Sequence, residues 1–171
     1  MKKFLFIIIA SALLLGGCAE EEPTGTELLE QGSYEDAAEK FEAAIVDGQN
    51  PEEAYRGLGI AYWEQGDYRR ARASFSRALS YGAEETASIY QFMGVCDMQL
   101  GYLESALSWF EKGLVAADAS DEMIQEMKFN QIAVYEQLGN LDRAKKKLAA
   151  YVADYPDDEQ AGKELKFLET R

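Results

Sequence analysis

A glycine-centred segment returns along this chain at a nearly fixed interval, and no other feature constrains the fold as strongly. Gly32-Ser33-Tyr34-Glu35-Asp36-Ala37, with Phe41 and Ala44 beyond it, is followed by Gly66-Asp67-Tyr68-Arg69-Arg70-Ala71, with Phe75 and Ala78. A third copy is Gly101-Tyr102-Leu103-Glu104-Ser105-Ala106 with Phe110 and Gly113, and a fourth is Gly139-Asn140-Leu141-Asp142-Arg143-Ala144 with Leu148 and Tyr151. The spacings are 66 − 32 = 34, 101 − 66 = 35 and 139 − 101 = 38 residues. Self-similarity at this interval denotes stacked supersecondary units that bury their apolar faces against one another.

The residue types explain the unit. Each glycine follows a helical stretch and can take the left-handed conformation that ends a helix at low cost. Ser33, Asp67 and Asn140 are suited to cap the helix that follows. Ala37, Ala71, Ala106 and Ala144 are small where two helices approach, and the aromatic or leucine four residues later falls on the same face. The preceding helices repeat as well: Tyr55, Leu58, Gly59 and Tyr62 recur as Tyr90, Met93 and Gly94, after which Asp97 stands in place of a tyrosine. In the last unit Tyr135 is in place, but Ile132 occupies the small-residue position. These two departures predict looser packing in their units. Pro23 and Gly25 leave only Thr26 to Gln31 for the first leading helix, which is expected to fray. Asn50-Pro51 and Tyr155-Pro156 mark unit ends, because proline cannot continue a helix. The added residues around Ala119-Ser120-Asp121-Glu122 amount to about one turn of 3.6 residues and predict longer flanking helices. Ala161, Leu165 and Leu168 form the apolar face of a final helix, with Lys163 and Lys166 on its wet side.

These four units resemble the tetratricopeptide repeat, a pair of antiparallel helices. The resemblance implies an all-α, right-handed α-solenoid of about four hairpins with a C-terminal capping helix. It assigns residues 26–171 to one repeat domain, with units at about 26–51, 52–85, 87–120 and 125–158 and the capping helix at 159–171. In such arrays the leading helices line a concave face used for extended partners. Carried onto this chain, the groove positions are Glu53, Arg56, Ile60, Trp63 and Glu64, then Ser88, Gln91, Val95, Met98 and Gln99, then Glu126, Phe129, Ala133, Glu136 and Gln137. The family's best-known groove grips a peptide carboxylate with lysines and asparagines. Arg56 is the only cation here, so that clamp is absent. The apolar stripe of Ile60, Trp63, Val95, Met98 and Phe129 instead suits a protein or peptide partner with basic flanks, either an amphipathic helix or an extended segment. The competing reading packs the same side chains against neighbouring hairpins.

The N-terminus has its own logic. Met1-Lys2-Lys3 precedes an apolar run from Phe4 to Leu15, shorter than the roughly 20 residues a membrane-spanning helix needs. Leu15-Gly16-Gly17-Cys18 resembles the bacterial lipobox. This implies a cleaved signal peptide at 1–17, a lipid on Cys18 and a short acidic tether over 18–25. The implied location is exported and lipid-anchored to a bacterial membrane, either the outer membrane or the outer face of the cytoplasmic membrane. Loss of Lys2 and Lys3 would take the formal charge from −14 to −16. A field of that sign repels phosphate backbones, so nucleic acid is not an expected partner. The chain has no histidine, which removes the usual general base and excludes serine–histidine and cysteine–histidine pairs. No catalytic, metal or cofactor site is expected. With Cys18 lipidated, Cys96 is the one remaining thiol and is expected to be a buried structural residue. The functional expectation is a membrane-anchored interaction scaffold or assembly factor in the cell envelope. The alternative is a lipoprotein that binds cell wall or a small molecule.

Overall fold

The computed structural model describes residues 22–170; residues 1–17, expected to be a signal peptide, Cys18 and most of the expected tether lie outside them. Among the described residues there are nine helices and no strands. They pair as α1 (Gly25–Glu30) with α2 (Tyr34–Val46), α3 (Pro51–Glu64) with α4 (Tyr68–Ser80), α5 (Ala87–Gln99) with α6 (Leu103–Leu114), and α7 (Asp121–Gln137) with α8 (Leu141–Asp154), and α9 (Glu159–Glu169) closes the array.

The turn between the two helices of a unit is encoded locally. Gly66 sits at φ +74°, which lets its N–H reach Trp63 O at 2.9 Å while Asp67 N–H reaches Tyr62 O at 2.9 Å. Carbonyls at the end of α3 are thereby satisfied. The Asp67 carboxylate then accepts from Arg70 N–H at 3.0 Å and opens α4. Gly32, Gly101 and Gly139 share the positive φ, and Asn140 caps α8 through Arg143 N–H at 3.2 Å. Ser33 departs from expectation, since its side chain makes no capping bond. Glu35 and Asp36 in the first turn of α2 supply favourable charge there instead.

Packing between helices follows the small-residue register. Ala37, Ala71, Ala106 and Ala144 are wholly buried. The rings of Phe75 and Phe110 lie so close to Gly59 and Gly94 that an added Cβ would meet them at 2.8 Å and 2.4 Å. In the fourth unit Ile132 fills the glycine position and Leu148 replaces the phenylalanine, and both are buried. Bulk has moved from the trailing helix to the leading one, so the looser packing expected here does not occur.

Asp97 corrects the second such expectation. It is fully buried, and it accepts from the Arg72 guanidinium of α4, the Ser105 hydroxyl and, at 3.0 Å, Trp109 Nε1 of α6. Three donors from two trailing helices compensate the desolvated carboxylate. A tyrosine contact has been exchanged for an ionic node that joins the second and third units.

The first unit is also better ordered than its sequence predicts. Thr24 and Glu27 form a capping box, with Glu27 N–H to Thr24 Oγ1 at 3.2 Å and Thr24 N–H to Glu27 Oε2 at 2.7 Å. Gly25 occupies the place of Gly59 and Gly94, its hypothetical Cβ 2.9 Å from the Phe41 ring. The unit therefore lacks only the turns that Pro51–Leu58 and Ala87–Met93 supply ahead of the matching glycine in α3 and α5.

Helix α7 has 17 residues against 14 in α3 and 13 in α5, as the wider spacing predicts, but α6 has 12 against 13 in α4, so only the helix after the insertion is longer and the expected lengthening of both flanking helices is half met. Leu165 and Leu168 of α9 pack on the cluster of Ile132, Tyr135, Leu148 and Tyr151, with Ala161 buried beneath. Among the described residues leading helices α1 and α3, and α5 and α7, touch directly and α3 meets α5 through the Trp63 and Phe92 rings, whereas no comparable backbone contact joins successive trailing helices. The array therefore curves toward its leading helices.

Candidate partner-binding groove

Helices α3, α5 and α7 place their groove positions along this inner face. Arg56, Ile60, Trp63, Val95, Met98 and Phe129 are all half-buried, but their environments differ. Arg56 is held by Glu53 on the same helix, Nε to Oε2 at 2.8 Å, so the groove's one cation is already paired. Ile60 and Trp63 rest on the core cluster that runs from α1 to α5. The Trp63 ring stands edge-on to Phe92 at 5.2 Å, and Phe92 stacks on Phe75 at 5.1 Å. Its Nε1 is covered and finds no acceptor. Val95 and Met98 lie against Ala106, Phe110, Met127 and Val134. Gln91 of α5 donates to Glu126 of α7, crossing the groove between them.

The stripe opens into a cavity at each end. One of about 330 Å³ is lined by Leu29, Phe41, Ala44, Arg56, Gly57 and Ile60, where the first leading helix lacks its opening turns. The other, about 510 Å³, is lined by Glu122, Gln125, Glu126, Phe129, Tyr151 and Asp158. Of the groove positions carried over from the family, Arg56 and Ile60 line one cavity and Phe129 the other, and Trp63, Val95 and Met98 lie between them. Sequence reasoning missed Leu29, Phe41, Tyr151 and Asp158. Two signals pointed to them. Gly57 is a second small residue beside the repeat's own Gly59, and its Cβ would come within 2.3 Å of Phe41. Tyr151 stands where the other units carry Ala44, Ala78 and Gly113.

The second cavity is polar in an organised way. Gln125 Nε2 donates to the Tyr151 hydroxyl at 2.9 Å, and that hydroxyl donates to Asp158 at 3.0 Å. Asp158 also caps α9 through Ala161 N–H at 3.0 Å. The Ala161 amide first and the Tyr151 hydroxyl second hold the Asp158 carboxyl below its usual range. Burial raises the affinity of Glu136 for its proton, and neighbouring Glu164 raises it further. Among the described residues no group of three metal-ligating side chains comes together, and no helix is long and apolar enough to cross a membrane.

Models of the tetratricopeptide repeat match residues 23–88 and 56–122, and a further one matches 128–158. The chain belongs to the tetratricopeptide repeat family. Its fold is shared with YrrB, described as a tetratricopeptide protein with an unusual peptide-binding site, at 21% identity and a TM-score of 0.71 over 85% of this chain and 73% of that one. MamA from Desulfovibrio magneticus superposes at 21% identity and a TM-score of 0.72, covering 86% and 80% of the two chains. A thermophilic tetratricopeptide protein of Thermus thermophilus gives 17% identity and a TM-score of 0.60, covering 86% and 78%. A search of curated protein sequences finds no match. The tetratricopeptide fold supports a protein–protein interaction scaffold, and the coverage shows that nearly all the described residues belong to it.

Proposed function

We propose that this protein is a lipid-anchored scaffold of the bacterial cell envelope that holds a segment of a partner protein along its concave face. The observation that carries the reading is the half-buried stripe from Ile60 to Phe129, open at both ends into cavities and edged by Glu53, Glu64, Glu126 and Glu136. A continuous apolar strip rimmed by carboxylates suits an amphipathic helix or extended segment with basic flanks. Likeness in fold to YrrB, described as having a peptide-binding site, supports the choice of a peptide over a small molecule. The lipobox-like Leu15-Gly16-Gly17-Cys18 supports export and anchoring through Cys18.

Trp63 is the natural central contact, since interface hot spots favour tryptophan. Its edge-on packing against Phe92 also gives it a share in the core. The test is capture of envelope proteins from detergent extracts by the wild type and by Trp63→Ala, with melting temperatures measured on both. Loss of a specific partner with the cooperative melt retained supports the groove. Retention of the partner at full affinity, or recovery of a saccharide in place of a protein, refutes it.

A further inference from the structure

The first and fourth units each carry a cavity, lined by both helices of the unit, that the groove does not use. One, about 440 Å³, lies at the start of the array and is lined by Leu28, Asp36, Glu39 and Lys40 together with Glu22 and Pro23. The other, about 410 Å³, lies on α8 and is lined by Tyr135, Arg143, Lys146, Lys147 and Ala150. The two occupy the same place in their repeats. Leu28 and Tyr135 stand four residues before the turn glycine, Asp36 and Arg143 four after it, Glu39 and Lys146 seven after, and Lys40 and Lys147 eight after.

In the first cavity the wall is completed by the chain's own Glu22-Pro23, whose carboxylate accepts from Lys40 Nζ at 2.5 Å. The fourth-unit cavity has the equivalent lysine but no such segment. Its charge is also inverted, because Arg143 and Lys146 replace Asp36 and Glu39. Elsewhere among the described residues of this acidic protein Lys40, Arg56, Arg70, Arg72, Lys128 and Lys163 have carboxylate partners, whereas Arg69, Arg77, Lys112, Lys145 and Lys166 have none but line no shared cavity with one another. Among the described residues Arg143, Lys146 and Lys147 have none. Lys147 Nζ donates to neutral Gln131 Oε1 at 2.8 Å, which fixes the amine without cancelling its charge, and Arg143 lies 5.6 Å from the centre of the Tyr135 ring.

We propose that this α8 cavity is a second docking site, built to take an extended acidic peptide segment from another protein molecule in the way the first unit takes Glu22-Pro23. The chain's own tether is held by Lys40 at the far end of the array, so the occupant arrives from outside. Three cations that line one cavity without a carboxylate partner provide the charge complementarity, and the tyrosine ring provides a flat wall for a proline or a peptide plane. The site is independent of the concave groove and of Trp63.

The probe is a dye-labelled Ala-Glu-Glu-Glu-Pro-Thr peptide, the sequence of residues 19–24, titrated against the full-length protein in detergent and followed by fluorescence anisotropy. Saturable binding is expected. Joint replacement Lys146→Glu and Lys147→Glu should weaken it by about tenfold or more, with an intermediate loss for Lys146→Gln and Lys147→Gln. Lys166→Glu, on α9 and outside the cavity, should change it by less than about twofold. Folding of each variant is checked by its helical melt. Absence of saturable binding, or equal affinity in the glutamate variant, overturns the proposal. So does displacement of the peptide by monomeric dihexanoylphosphatidylglycerol at lower concentration than by unlabelled acidic peptide, which would assign the cavity to an anionic lipid headgroup.

Discussion

Replacement of Asp97 by alanine tests whether the ionic node holds the second and third units together. The carboxylate is fully buried and receives Arg72, Ser105 and Trp109. Hydrogen bonds to a charged group contribute about 1.5–3 kcal/mol each, against which stands the desolvation of the carboxylate that alanine would relieve. The Arg72 side chain is 38% exposed and can turn to water, so its share is discounted for screening. Trp109 Nε1 and the Ser105 hydroxyl, both half-buried, lose their acceptor, at the lower end of the about 1–3 kcal/mol that a buried orphan costs. The net expected loss is about 2–4 kcal/mol. At about 2–4 °C per kcal/mol for a chain of this size, the melting temperature should fall by roughly 10 °C. Urea unfolding followed by far-ultraviolet circular dichroism gives the free energy, and a double-mutant cycle with Ser105→Ala isolates the coupling. A loss under about 1 kcal/mol, or strict additivity in the cycle, would refute the assignment of structural weight to this node.

Three further outcomes are expected. Ala71→Leu should overpack the junction of α3 and α4 and cost about 1–3 kcal/mol, whereas Ala116→Leu, outside the small-residue register, should be nearly neutral in the same thermal melt. The folded-state pKa of Glu136 lies above its usual value, so the native state favours the protonated form and the carboxylate costs stability at neutral pH. Glu136→Gln should accordingly raise the melting temperature at pH 7, and the gain should vanish as pH falls through the raised pKa; a gain that persists in acid contradicts this. Burial first, and the charge of Asp97 second, push the Cys96 thiol up to about 12, so iodoacetamide at pH 8 should leave it unmodified in the native protein and alkylate it on unfolding, as mass spectrometry would report.

The sequence by itself determined the unit, the turns and the register. Positive φ at the four turn glycines, caps at Asp67 and Asn140, and alanines at each helix crossing are local requirements met by local residue types, and they read directly from the repeat. The longer α7 was legible for the same reason, although α6 on the other side of the insertion did not lengthen with it. Only the tertiary structure decided how the departures from the repeat are accommodated. Asp97 looks like a defect until Arg72, Ser105 and Trp109 are brought to it from other helices, and Ile132 looks oversized until Leu148 is seen to have made room. The groove divided along the same line. Its candidate positions came from the family resemblance, whereas the end cavities depend on Phe41 over Gly57 and on Tyr151 against Asp158. Those pairs are remote in sequence or split between elements, and their contact is fixed by how far one helix sits from the next, a distance that no single helix encodes.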